Sequence, residues 1–399
     1  MTESTQQDPF GQLPEELRIK IIKLSPNPFS LRNLAHASPA MGGVLERYPL
    51  EIVEEVLEAT VPLRTRRLMD AVLKARFSDF FASMPEAQTI AEADWIFTTD
   101  NIRSSGLDQA AAVVRSLLAS SANVHAWSHA CLEHMIRKSM QLRPSTLIKM
   151  GSGNMVRERF ESAESRKDYI PHETGPPSYV EEKRMMESFW RLQFLLELQD
   201  AGRKGRLDDI WPREEIDALF ENSADGFYDV HKSVREQILT ASDFLSAVTS
   251  GTIASVEASQ DKAFGLPTIR WEEGAVSRCY CAEPVFFVDS NKDIFNQDPR
   301  CEYLGPCGYL FWSRMSSLEG YEDGGPLTLV YPFKCWRKYG FAIWDDKRMA
   351  DLGMRHPTKR SILRSYISYS FRWWSLLSEK ELRQEFSMRE QYQLDRDWP

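Results

Sequence analysis

Cys279, Cys281, Cys301 and Cys307 bring four thiols into one short stretch of the chain. Thiolates bind zinc tetrahedrally, and two pairs closed by a hairpin make a structural site. The spacing argues the other way. One residue separates the first pair and five the second, where zinc modules use about two to four. Val285-Phe286-Phe287-Val288 lies between the pairs, and free cysteine packs as a small hydrophobe among such residues. Buried thiols are the expectation, with zinc as the alternative. His125 and His129 stand four apart on one expected helix, with Cys131 and His134 beyond them. Four-residue spacing puts two imidazoles on one face. Position 126 is Ala126, however, where a zinc protease carries a glutamate after the first histidine. Trp127 and Met135 in the same stretch favour core packing with surface histidines.

Other chemistry is thinly represented. No Gly-x-Ser-x-Gly elbow occurs, and no phosphate-cradling glycine loop leads into Lys-Ser or Lys-Thr. Gly151-Ser152-Gly153 has the wrong spacing, and Gly324-Gly325 reads as a turn. Asp345-Asp346 suits the cap and first turn of a short helix. Arg64-Thr65-Arg66-Arg67, at a helix start in an acidic chain, reads as a solvated face. No catalytic residue, resident metal or cofactor is expected, and the chain reads as a non-enzyme. The alternative is an enzyme whose site is assembled from dispersed residues in 179–399.

Composition narrows the classes further. The 399 residues carry a net charge of −9, which opposes a nucleic-acid-binding role. Six cysteines are too few for a disulfide scaffold. No secretory signal precedes Gln12, and no apolar run is long enough to span a bilayer. A cytoplasmic or nuclear protein without a membrane partner is expected.

The elements that must carry any site are mainly helices. Val113, Val114, Leu117 and Leu118 recur at helical spacing, and a further helix fits 124–141. A long helix from Tyr179 carries Met186, Phe189, Trp190, Phe194, Leu195 and Leu198, with Gly202 as a stop beyond it. Helices also fit 213–222, 227–250 and 361–386. Strand-like runs lie at Pro284–Val288, Gly308–Trp312 and Leu327–Tyr331. Gly151 to Ser178 is turn-rich and poor in apolar residues, and reads as a linker.

The most informative stretch is Leu13-Pro14-Glu15-Glu16-Leu17-Arg18-Ile19-Lys20-Ile21-Ile22-Lys23-Leu24. Pro14 suits a first helical turn, Glu15 and Glu16 face the positive end of the helix dipole, and Leu17, Ile21 and Leu24 form an apolar stripe. Pro26 and Pro28 stop this helix. Ser30 is a cap for a second helix carrying Leu31, Leu34 and Ala35. Ser38-Pro39 opens a third with Met41, Val44 and Leu45. Gly42-Gly43 weakens that third helix by about 1 kcal/mol per glycine. A unit this short rarely stands alone, so it leans on the body or on a partner.

Leu13-Pro14-Glu15-Glu16-Leu17, Ile21, Leu24, Leu31, Leu34 and Ala37-Ser38-Pro39 together resemble an F-box. Leu34–Met41 and the distal Arg337–Asp346 also resemble fungal F-box-like proteins. The F-box resemblance covers about a tenth of the chain. It implies a protein–protein role: binding the Skp-type adaptor of a cullin–RING ubiquitin ligase, and so its cullin scaffold, while the remaining chain selects a protein substrate for ubiquitination. It marks Leu13, Pro14, Leu17, Ile21, Leu31, Leu34 and Pro39 as adaptor-facing or supporting positions. The alternative is an interaction protein whose F-box-like block is a structural cap without ligase coupling.

The resulting expectation is a mainly α protein. A disordered 1–12 precedes a three-helix F-box-like unit at 13–48. A helical region at 49–150, the linker at 151–178 and a helical 179–399 follow, with minor β structure at about 284–333.

Overall fold

The computed structural model describes residues 8–77, 81–89, 107–145, 147–149, 155–157, 168–222, 224–228, 230–253, 257–259, 266–270, 308–316, 332–355 and 363–396. The Cys279, Cys281, Cys301 and Cys307 cluster and the runs at 284–288 and 327–331 lie outside them. The fold is mainly α. In chain order the helices are α1 (Glu15–Lys23), α2 (Pro28–Ala37), α3 (Pro39–Arg47), α4 (Pro49–Thr60), α5 (Leu63–Phe77), α6 (Met84–Gln88) and α7 (Leu107–Met140). After them come α8 (Tyr179–Arg203), α9 (Arg213–Glu221), α10 (Ala224–Phe227), α11 (Lys232–Thr249) and α12 (Gly308–Ser316). The last four are α13 (Lys334–Arg337), α14 (Asp346–Asp351), α15 (Leu363–Trp374) and α16 (Glu379–Arg396). Two antiparallel hairpins complete the described elements: β1 (Leu147–Lys149) with β2 (Met155–Arg157), and β3 (Glu257–Ser259) with β4 (Thr268–Arg270).

Minor β structure is therefore present at 147–157 and 257–270, and of the three strand-like runs only Gly308–Trp312 falls among the described residues. Gly308–Trp312 opens a helix rather than forming a strand. Short apolar runs do not separate the two by periodicity. Tyr309 and Trp312, with ring centroids 5.5 Å apart, are three residues apart. A helix brings such residues together, and a strand sends them to opposite faces. Similarly, the two expected runs within 107–141 are one continuous helix, and the helix expected over 361–386 is two, parted at Ser375–Ser378.

The described residues fall into two compact units that are not consecutive stretches of chain. One draws on residues 1–130, 185–230 and 245–301, the other on 131–184, 231–244 and 302–399. In the first, α1–α4 form a small bundle around Ile22, Leu31, Met41, Val44, Ile52, Val53 and Val56. Asn27, in extended backbone, caps α2 by accepting the Ser30 N–H at 2.7 Å. The cap is thus Asn27 and not Ser30, and Pro28 sits in the first helical turn instead of stopping α1. Ser38 caps α3 through the Met41 N–H at 3.1 Å.

Beyond the bundle, this unit is organised on α8. Phe189, Trp190, Phe194 and Leu198 are buried there, but so are Glu187, Arg191, Gln193 and Glu197. Buried polar groups need partners. Thr65 donates to Glu187 at 3.2 Å, Arg76 Nε to Glu197 at 2.9 Å, and the Leu266 N–H to Gln193 at 3.0 Å. Arg76 also reaches Ser116 and Ser120 on α7 at 2.8 and 2.7 Å. The run Arg64–Arg67 is accordingly no solvated face: Arg64 and Thr65 are buried. The helix runs through Gly202, and Gly205 (φ +69) takes the left-handed position. Arg206 N–H then closes onto Ala201 O at 3.0 Å, a cap geometry that glycine adopts without strain.

The second unit is built on aromatics. Trp336 donates to Trp373 O and Trp373 to Met354 O, both at 3.1 Å. Buried Phe333, Phe341 and Trp344 lie in the same unit. Asp345 caps α14 through the Arg348 N–H at 2.9 Å, as the sequence indicates. Among the described residues no helix is long and apolar enough to cross a membrane.

Candidate docking surface

The F-box-like positions all lie in the α1–α4 bundle. On α1 the inward residue is Ile22, wholly buried. A rotation of about 100° per residue then sends the stripe of Leu17, Ile21 and Leu24 away from the core. Leu17 keeps 45% and Leu24 81% of its surface exposed. Pro14 is exposed at the head of the helix, and Leu13 and Ile21 are half-buried. Spacings of three and four residues align these side chains along one side of α1. On the other helices Pro39 is exposed and Leu34 half-buried, whereas Leu31 is fully buried and belongs to the core. Of the seven marked positions, Leu31 alone cannot face a partner and serves as support. Leu24, the most exposed residue of the stripe, is not among the marked positions.

Single exposed apolar residues are ordinary on any protein surface, while a contiguous apolar patch is the feature that interaction sites share. Charge fixes the flanks of this row. Lys23 reaches Glu51 and Glu55 on α4, each at 2.7 Å, and these two hydrogen bonds raise the lysine pKa. Arg47 pairs with Glu15. That pairing, with a hydrogen bond from Tyr48, holds the Glu15 carboxyl below its ordinary range. Thus α1 is tied to α3 at its start and to α4 at its end.

The bundle also meets α7. Phe29 stacks on His125 with ring centroids 4.4 Å apart, and the His129 ring lies 4.3 Å from that of His125, tilted by 39°. Arg115 pairs with Glu46. His125 and His129 therefore share a face, as their spacing indicates, and that face carries Phe29. The His134 ring is 5.5 Å from that of Phe244. Among the described residues no group of three or more His, Cys, Asp or Glu side chains is placed to hold a metal ion.

Two contributors to this surface were not visible in the sequence. Asp8 lies in the stretch read as disordered. Its carboxylate accepts from the Ser38 hydroxyl at 2.8 Å and the Ala40 N–H at 3.0 Å. Gly42, read as a weakness of α3, lies against α2: a β-carbon there would come within 2.9 Å of Ala35 O. No local pattern announces either contact, because each joins segments that the sequence separates. No family model, no curated protein and no solved structure matches the chain.

Proposed function

We propose that the chain is an F-box-like substrate-recruiting subunit. It binds a Skp-type adaptor of a cullin–RING ubiquitin ligase through the outward side of α1, and the rest of the chain selects a protein for ubiquitination. One observation carries the reading: the bundle closes its core with Ile22, Leu31, Met41 and Val44, and leaves Pro14, Leu17 and Leu24 in solvent. A block serving only as a structural cap has no use for that row and would bury it against the body. A binding role also suits the absence of nucleophile and phosphate-loop motifs from the sequence.

The test is titration of the full chain with a purified Skp-type adaptor, alongside a Leu13→Ala/Pro14→Ala variant. Neither side chain belongs to the bundle core, so the melt should move by no more than about 2–4 °C. Adaptor binding should fall below detection. A parent chain that binds no adaptor, together with a strongly lowered melt in the variant, defeats the ligase reading and leaves a structural cap.

A further inference from the structure

The start of α1 has no side-chain cap. Pro14 occupies the capping position, with φ −53 and ψ 148, and contributes no capping hydrogen bond. Something else must fix the direction in which the chain reaches Leu13 and Pro14, where the exposed row begins. The fixing elements are in residues 8–13. Asp8 Oδ1 accepts the Phe10 N–H at 3.0 Å. The Gly11 N–H reaches Asp8 O and the Leu13 N–H reaches Phe10 O, both at 3.1 Å. This folded turn is pinned to a helix start thirty residues on, because the same Asp8 carboxylate bonds Ser38 and Ala40.

A carboxylate suits that place. The first N–H groups of a helix lack partners within it, and the dipole there favours negative charge. The Ala40 N–H holds the Asp8 carboxyl below its ordinary range, with Ser38, Phe10 and Arg18 adding to the effect. Ser38 meanwhile caps Met41 with its own oxygen. Helix α3 therefore keeps a cap when Asp8 is lost, because the Met41 N–H still bonds the Ser38 oxygen.

We propose that Asp8 is a positioning residue for the docking row: it latches the 8–13 turn onto the start of α3 and so holds Leu13 and Pro14 where a partner can meet them together with Leu17. The binding unit then begins at Asp8, five residues before the F-box-like pattern does. The inference deepens the adaptor reading and rests on it for the identity of the partner, but the latch itself is independent of that reading.

Two measurements on the full chain decide it. The first is adaptor titration of the parent, Asp8→Ala and Asp8→Asn. Alanine removes every latch bond, and binding should weaken roughly five- to tenfold. Asparagine keeps an acceptor for the Ala40 N–H and should restore most of that loss, with the melt of all three within about 2 °C. Equal affinity of the parent and the alanine variant overturns the proposal, and so does an asparagine variant no better than alanine. The second is amide hydrogen exchange of the chain alone. Exchange at Leu13 through Leu17 should accelerate in Asp8→Ala while Ile52 through Leu57 in α4 remains protected. Unchanged exchange at Leu13–Leu17 sinks the latch. If the parent binds no adaptor, the ligase reading falls, and exchange alone still decides the latch.

Discussion

Two adjacent glycines in α3 separate propensity from packing. Sequence propensity treats Gly42 and Gly43 alike, as losses of helix stability. The structure does not. Gly43 faces open space, with nothing within 4 Å of an added β-carbon, whereas at Gly42 that carbon would lie 2.9 Å from the Ala35 carbonyl oxygen. Backbone oxygen on a packed helix cannot step aside as a flexible side chain can. Gly43→Ala should therefore stabilise the protein by about 0.5–1 kcal/mol. Gly42→Ala should destabilise it by more than about 1 kcal/mol. Urea unfolding of both variants checks this, and two changes of the same sign would show that propensity alone governs α3. The same limit explains Ile21 and Ile22. Both are β-branched, apolar and adjacent, and periodicity within α1 fits either as the inward residue. The choice is made by α2–α4, which meet Ile22.

At the scale of elements, the long helices were legible because their apolar residues recur over many turns. The segment read as a linker shows what composition misses. Residues 168–178 form no regular element, yet they are bound along their length. The Tyr169 N–H reaches Pro144 O at 2.8 Å and the His172 N–H reaches Asp351 O at 3.0 Å. Arg348 then gathers the Thr174 hydroxyl, Gly175 O at 3.2 Å and Pro176 O at 2.6 Å. Its Nε lies 2.9 Å from Glu181, a wholly buried carboxylate that also accepts from the Ser178 and Asp345 N–H groups. A polar, turn-rich stretch is thus made a strap by one arginine that lies far along the sequence. Arg348→Met removes the counter-ion and strands Glu181, at a cost of roughly 3–5 kcal/mol. Limited proteolysis should then cut within 168–178, where the parent resists. Adding Glu181→Leu should recover part of the lost stability, since an apolar pair of similar volume replaces a buried ion pair with little penalty. A single variant as stable as the parent would show that the strap does not depend on Arg348.

At the scale of the molecule, neither compact unit can be excised as one run of sequence. Boundaries at 150 and 179, suggested by a drop in apolar content, do not coincide with those of the units. Local composition reports where turns are dense, and it carries no information on which distant segments pair. Arg76 finds Glu197, Phe81 finds Phe194 and the Trp211 indole, and the Trp127 indole finds Pro267 O at 2.6 Å. A fragment of residues 1–150 would keep Arg76, Phe81 and Trp127 and lose all of those partners. It should show no cooperative melt above α1–α4, whereas the full chain melts cooperatively, and a fragment melting like the full chain would refute the division. The same interleaving sets an order in time. During synthesis α1–α4 can close as soon as residues 8–60 have left the ribosome, because every contact within the bundle is short in sequence. The body must wait for α8 and then for Leu266 and Pro267, and such distant pairings are slow to form. While residues 61–266 are being made, the bundle with its outward row of Pro14, Leu17 and Leu24 can already be closed, so that row is available before the distant partners of the body can pair.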